Sequence, residues 1–152
     1  MTLRKLFISF LFLLLLLISL FPRSIDVLNG NPVFGIDGGR DYMFVKNIVV
    51  DHKLTLIGAE LGAGQAGMQY LFHGPGYFYL LAMPFLLFNG NPVGGVFFML
   101  LFGLASIAFG VYFVSKWLGW KEGLLMGFLL AACPYLIGQS RHLMNHFPST
   151  LF

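Results

Sequence analysis

The run from Leu6 to Phe21 carries no charged side chain and consists of leucine, isoleucine and phenylalanine with two serines. With its flanks, a helix over this run reaches about the 17 residues that are needed to cross a bilayer. The whole chain agrees, because 58% of its 152 residues are hydrophobic and only 10% are charged, whereas about a quarter of the residues in soluble domains are charged. The sequence therefore predicts an all-α, polytopic membrane protein.

The N-terminal run also has an alternative interpretation as a secretory signal peptide. Arg4 and Lys5 precede it and would form the positive region of such a peptide. However, no small-x-small cleavage site follows, and the Phe-Pro-Arg-Ser sequence at positions 21–24 is a poor substitute. We therefore expect residues 1–21 to form an uncleaved first transmembrane helix, with the N-terminus in the cytoplasm.

Two further apolar segments have the length of membrane spans. The first covers residues 95–115, and the second covers residues 123–139 with a kink expected at Pro134. Lys116 and Lys121 lie between them, and the positive-inside rule places this turn in the cytoplasm. The chain is therefore expected to cross the membrane about three times.

A shorter apolar segment, residues 76–88, contains Pro84 and is bounded by glycine and Asn-Pro turns. Its length favours an interfacial or re-entrant helix, and counting it as a crossing would move both lysines outside. Residues 22–94 then form one large external loop, and residues 140–152 begin the next one. The sequence continues into an apolar stretch at its end, which predicts that the C-terminal part of a longer transmembrane domain is missing.

The external loop carries three ionisable residues close together, Asp37, Arg40 and Asp41. Asp37 precedes a segment with helical apolar spacing, and we expect its carboxylate either to cap that surface helix or to act as a base or a stabiliser of cationic charge. Arg40 suits either an ion pair on the helix face or an anion such as phosphate. The sequence alone gives Asp41 no defined role.

Other polar candidates lie on the same predicted side of the membrane. His73 is expected to be an ordinary hydrogen-bonded histidine, with metal ligation as the alternative, although no HExxH or Cys/His spacing is present. A further group follows the third predicted helix: Arg141, His142, Asn145 and His146. The single cysteine excludes an intrachain disulfide, and basic residues at the ends of apolar segments do not favour nucleic acid as a partner.

Three motifs occur in a recognisable order: "DGGRD" after the first helix, "FHGPGYFYLLAMPFLLFNGNPV" in the loop, and "PYLIGQSRHLMN" at the end of the third helix. In this order the chain resembles the amino-terminal part of GT-C type membrane glycosyltransferases. The similarity is to the group of dolichyl-phosphate-mannose protein mannosyltransferases and bacterial aminoarabinose transferases, and it covers nearly the whole chain from Asp37 onward.

The resemblance implies a role for each matching residue. Asp37 takes the place of the catalytic acidic residue of the first external loop, and Arg40 matches the arginine that often follows it. His73 takes the place of a residue near the metal or acceptor site of some members, so a divalent metal remains an open option. Arg141 matches the arginine of the later motif, whereas Asn145 stands where many relatives have a second aspartate, so that carboxylate role does not transfer.

The expected function is therefore sugar transfer from a polyprenyl-phosphate donor to a protein, lipid or glycan acceptor at the external face of the cell membrane. The fragment alone is expected to be inactive, because half of the donor groove would be missing. A fragment of a membrane transporter and a small non-enzymatic membrane subunit are the alternatives. A transporter would place charged residues inside the spans, and the predicted spans contain none in their interiors, which favours a site at the surface.

Overall fold

The computed structural model describes residues 3–30, 35–60 and 70–143. These residues form six helices: α1 (Leu3–Leu28), α2 (Ile36–Val49), α3 (Gly76–Leu87), α4 (Pro92–Trp117), α5 (Trp120–Ala132) and α6 (Pro134–Gln139). No β-strand forms within the described ranges, although Glu60 and Phe72 make an isolated antiparallel bridge. The all-α prediction is confirmed.

Helices α1 and α4 are each long and apolar enough to cross a membrane. Each has 26 residues, which corresponds to roughly 39 Å at the α-helical rise. Only 11% of the most apolar window of α1 is buried, and 33% of that of α4, whereas the core helix of a soluble protein is mostly buried. These two helices therefore suggest a membrane protein, and the number of crossings beyond them stays a prediction.

Helix α1 continues past the predicted end at Phe21 and includes Pro22 in its interior. The sequence suggested an end there because proline and charged residues usually terminate an apolar span. The helix can continue because the polar side chains of its last turns contact other elements: Arg23 contacts α5, and Asp26 contacts Arg141. Two charged side chains thus belong to a helix that was predicted to end before them.

The third predicted span, residues 123–139, is divided into two helices at the predicted kink. α5 ends at Ala132, Cys133 is extended with φ −66° and ψ 114°, and α6 begins at Pro134. A proline disfavours the helical conformation of the residue before it and offers no N–H to continue the ladder. The kink lies where the sequence placed it, but α5 alone has 13 residues and is too short for a span.

Helices α1, α4 and α5 pack side by side. The first half of α1 lines a cavity together with Lys116 and Trp120, at the turn between α4 and α5, so the C-terminal end of α1 points away from that turn. Close approach of α4 and α5 requires glycine at position 127, because a Cβ there would overlap Val111.

A compact core joins α2 and α3 to the first turns of α4. Its buried members are Val45, Ile48, Ala59, Phe78, Leu81, Phe85, Val96, Met99 and Leu143. Helix α3 is apolar but has only 12 residues, which agrees with the expectation that this segment is too short to cross the membrane. The core fixes α2 against α3, and the candidate site lies along this contact.

Candidate functional site

Helix α2 begins at Ile36, one residue before Asp37, so Asp37 lies in the first turn and does not precede the helix. Gly35 is the N-cap residue, and it makes no side-chain cap hydrogen bond. The predicted capping role of Asp37 is therefore wrong: its Oδ1 instead pairs with Nη1 of Arg40 at 3.0 Å. A carboxylate in the first turn still interacts favourably with the helix dipole.

Arg40 lies between two carboxylates. Its Nη1 pairs with Asp37, while its Nε and Nη2 donate to Oδ1 of Asp41 at 3.1 and 2.9 Å. Nη1 also donates to the carbonyl oxygen of Glu60 at 3.5 Å. The predicted ion pair of Arg40 is thus observed. Asp37, Arg40 and Asp41 together carry a formal charge of −1.

Asp41 is fully buried, with 0% of its surface exposed. It lies on the inner face of α2 with Val45 and Ile48, at the i, i+4, i+7 spacing that marks one side of a helix. Burial raises the pKa of the Asp41 carboxyl, and the hydrogen bond from Arg40 acts in the opposite direction. The sequence left Asp41 without a role, although this spacing could have indicated its burial.

Tyr77, from the first turns of α3, faces the same buried carboxylate. Burial raises the pKa of its hydroxyl, and the charge of Asp41 raises it further. Among the described residues, neither the Tyr77 hydroxyl nor Oδ2 of Asp41 has a hydrogen-bond partner. Burial also raises the pKa of Tyr42, the residue after Asp41, to about 12.

His73 is held next to this cluster by its backbone. Its N–H donates to the Ala59 carbonyl and its carbonyl accepts from the Gly58 N–H, both at 2.9 Å. Glycine is required at position 58, because a Cβ there would lie 2.5 Å from the His73 carbonyl oxygen. His73 is close enough to Asp41 to favour the ionised carboxyl and so lower its pKa. The structure therefore brings the predicted residues Asp37, Arg40 and His73 to one site.

The metal alternative for His73 depends on the side chains near it. Within residues 3–30, 35–60 and 70–143, no group of three or more histidine, cysteine or acidic residues could hold a metal ion. Of the acidic side chains near His73, Asp41 binds Arg40 through Oδ1, and Glu60 accepts from the backbone N–H of Tyr70. Among the described residues, His73 therefore has no set of side chains that would complete a metal site.

Arg141 belongs to a different cluster. Its Nε and Nη2 donate to the two carboxylate oxygens of Asp26 at 2.7 and 3.0 Å, so the pair is bidentate and joins the end of α1 to the turn after α6. Arg141 contacts neither Asp37 nor Arg40 in this arrangement. Asn145, the remaining predicted substrate contact, lies outside the described residues, as does His146.

Arg23 was missed by the sequence reasoning. It is 1% exposed, and it donates to Ser19 on its own helix and to the carbonyls of Leu130 and Ala131 at 3.0 Å each. The last four carbonyls of a helix have no partner within that helix, and the break before Pro134 creates such an end inside the bundle. No local pattern marked Arg23, because its carbonyl partners lie more than 100 positions away in the chain.

An apolar groove of ≈ 340 Å³ runs between α1 and α5. Its walls include Leu15 and Ile18 on one side and Phe128 on the other, and Ser19 and Ala131, which hold Arg23, lie at one end. The residues that line the groove are uncharged, which suits a hydrocarbon chain.

Comparison with known protein families, with characterised proteins and with solved structures finds no match. The resemblance to GT-C type glycosyltransferases is therefore a sequence-based hypothesis. The structure shows an exposed Asp37 and a buried Asp41 that both pair with Arg40.

Proposed function

We propose that this chain belongs to a membrane glycosyltransferase that uses a polyprenyl-phosphate sugar donor and acts at the external membrane face. The acceptor is a hydroxyl group of a protein, lipid or glycan. The observation that carries the proposal is the Asp37 carboxylate, which is 72% exposed and held by Arg40 on the first turn of α2. Helix α2 lies outside both candidate spans, where a lipid-linked sugar and a water-soluble acceptor can meet.

The reaction requires a carboxylate of this kind. The bond between the anomeric carbon and the phosphate oxygen breaks, the polyprenyl phosphate leaves with the electron pair, and the acceptor oxygen bonds to the anomeric carbon. Asp37 accepts the acceptor's proton and stabilises the positive charge that develops on the sugar ring. Its exposure allows contact with both substrates, whereas Asp41 is too deeply buried to touch either.

The donor also needs a binding site for its phosphate and its hydrocarbon chain. Arg40 offers a guanidinium of the type that binds phosphate, and a bound phosphate would share Nη1 with Asp37. The groove between α1 and α5 has apolar walls that suit a polyprenyl chain. We propose His73, which lies close enough to Asp41 to act on its carboxyl, as a further polar substrate contact. Arg141 and Asn145 are proposed substrate contacts at the next external segment.

The proposal includes an orientation in the cell membrane. Lys116 and Lys121 lie at the turn between α4 and α5, and the positive-inside rule assigns this end and the N-terminus to the cytoplasm. Helix α1 leads from there toward α2, so Asp37 is on the outside. Three crossings follow if α5 and α6 together complete the third one.

Replacement of Asp37 tests the assignment. In the full-length protein, Asp37→Asn should lower the transfer of labelled hexose from undecaprenyl-phosphate mannose or glucose to native membrane acceptors by about 10²-fold or more, the usual contribution of a general base. Asp51→Asn is the matched control, because Asp51 is exposed beyond the end of α2. Unchanged transfer by a folded Asp37→Asn protein would exclude Asp37 as the catalyst.

One observation favours the transporter alternative: α1 includes two charged residues, Arg23 and Asp26. Transporters use such residues for solute binding. Here Arg23 binds the α5 carbonyls and Asp26 binds Arg141, so both join one element to another. Solute uptake by proteoliposomes that is insensitive to Asp37→Asn would favour the transporter.

A further inference from the structure

The two carboxylates that hold Arg40 differ in exposure. The Asp37 side chain is 72% exposed and the Asp41 side chain is 1% exposed, while that of Arg40 is 27% exposed. Asp41 contacts the Nε and Nη2 edge of the guanidinium, and Asp37 contacts Nη1. Arg40 therefore has one buried contact and one that faces water.

The buried contact has the larger effect on the orientation of Arg40. An exposed i, i+3 pair such as Asp37 and Arg40 is screened by water and contributes little. The Asp41 carboxylate is fixed on the inner face of α2, and breaking a buried ion pair leaves an uncompensated charge. Adjacent residues on a helix do not normally face each other, so the Arg40 side chain must bend toward the core to reach Asp41.

We propose that Asp41 is a positioning residue that fixes Arg40 so that Nη1 meets the carboxylate of Asp37. Asp41 acts through Arg40 and contacts no substrate itself. The effect on sugar transfer rests on the proposed function, but the effect on Arg40 does not. A purely structural role, in which Asp41 only fills its place in the core, predicts different results in both experiments below.

The first experiment measures how tightly Arg40 is held, without any substrate. The full-length protein in detergent is treated with phenylglyoxal, and peptide mass spectrometry gives the modification rate of each arginine. Asp41→Asn should raise the rate at Arg40 by roughly fivefold or more, because a hydrogen bond to a charged partner is lost. Arg141 is the internal reference because it keeps its Asp26 partner, and Asp51→Asn is the matched control.

The results separate the two roles. An increase at Arg40 alone supports the positioning role. An unchanged rate at Arg40 overturns it, and so does an equal increase at Arg40 and Arg141, which would mean that the substitution loosens the whole protein. Asp51→Asn should leave both rates unchanged.

The second experiment is a double-mutant cycle on transfer from the same polyprenyl-phosphate hexose donors, with Arg40→Gln, Asp41→Asn and the combined variant. If Asp41 acts through Arg40, Asp41→Asn should lower the transfer rate about tenfold in the native background and change it little when Arg40 is already replaced. Independent, multiplicative effects overturn the positioning role. Absence of transfer by the native protein would overturn the proposed function, while the modification rates still decide the role of Asp41.

Discussion

Asp37 and Asp41 lie one helical turn apart on α2 in very different surroundings. Asp37 faces water and is available to react, whereas Asp41 is removed from water and contacts Arg40, with Tyr77 and His73 close by. Arg40 links the two carboxylates. The division of roles that we propose, with one carboxylate for chemistry and one for positioning, follows from this difference in solvation.

The buried carboxylate makes the stability of the protein depend on pH. Burial raises the pKa of Asp41 above its ordinary value of 3.8, so the folded chain keeps this proton at pH values where the unfolded chain has lost it. The contribution of Asp41 to stability therefore falls as the pH rises from 3.8 to the folded pKa. Asp41→Asn removes this dependence.

We accordingly expect the stability of Asp41→Asn relative to the native protein to increase as the pH rises from 3.8 to the folded pKa of Asp41. Thermal unfolding of both proteins in detergent, measured over a series of pH values, gives this difference directly, and the titration of other groups largely cancels in it. A difference that stays constant with pH would mean that the Asp41 carboxyl titrates normally.

The sequence identified Asp37, Arg40 and His73 as candidates, and the structure brings them together. The sequence could not show that α2 starts at Ile36, because Asp37 and Gly35 are both acceptable N-cap residues. It also could not give Asp41 a role, because a charged residue in an amphipathic segment is normally assigned to the exposed face. Tyr77 is missing from the prediction for a similar reason, since an aromatic residue in an apolar run is usually core.

At the scale of elements, the break between α5 and α6 is the feature that organises this end of the bundle. It exposes the carbonyls of Leu130 and Ala131, which Arg23 satisfies from α1. The bidentate pair of Asp26 and Arg141 adds a second connection just beyond it. Helix α1 is thus joined to the C-terminal half of the chain by specific polar contacts as well as by apolar packing.

Removal of Arg23 tests this connection. Arg23→Met keeps most of the side-chain volume but leaves two buried carbonyls without their donor, and we expect it to lower the free energy of unfolding by about 1–3 kcal/mol. Urea unfolding in detergent measures the change. Lys116→Met is the matched control, since Lys116 is exposed and should have little effect. Equal stability of the Arg23→Met and native proteins would show that these hydrogen bonds contribute nothing.

The positions of helices were predictable from the sequence where apolar runs are long, and less so at their ends. Helix α4 covers the predicted 95–115 segment and extends it on both sides. At its N-terminal end Asn91 caps the helix through a hydrogen bond from the Val93 N–H. The end of α1 was missed, because the partners of Arg23 and Asp26 are more than one hundred positions away in the chain. Such contacts leave no local pattern.

At the scale of the whole molecule, the described helices place the charged turn and the candidate site at opposite ends of α1. The turn between α4 and α5 lies near the beginning of α1, and α2 follows its other end. A helix of the length of α1 is sufficient to separate the two by a bilayer. The function that we propose requires this separation, with the Asp37 cluster outside.

The most direct test of this central claim is the side of the membrane on which the α2 cluster lies. In a Cys133→Ser background, Ile36→Cys places a thiol beside Asp37 at a position that is 90% exposed, and Leu118→Cys places one in the α4–α5 turn at a position that is 72% exposed. A membrane-impermeant maleimide applied to intact cells should label the thiol at position 36, and should label that at position 118 only after permeabilisation. Labelling of both from the same side, or of position 36 only after permeabilisation, would contradict an external sugar-transfer site.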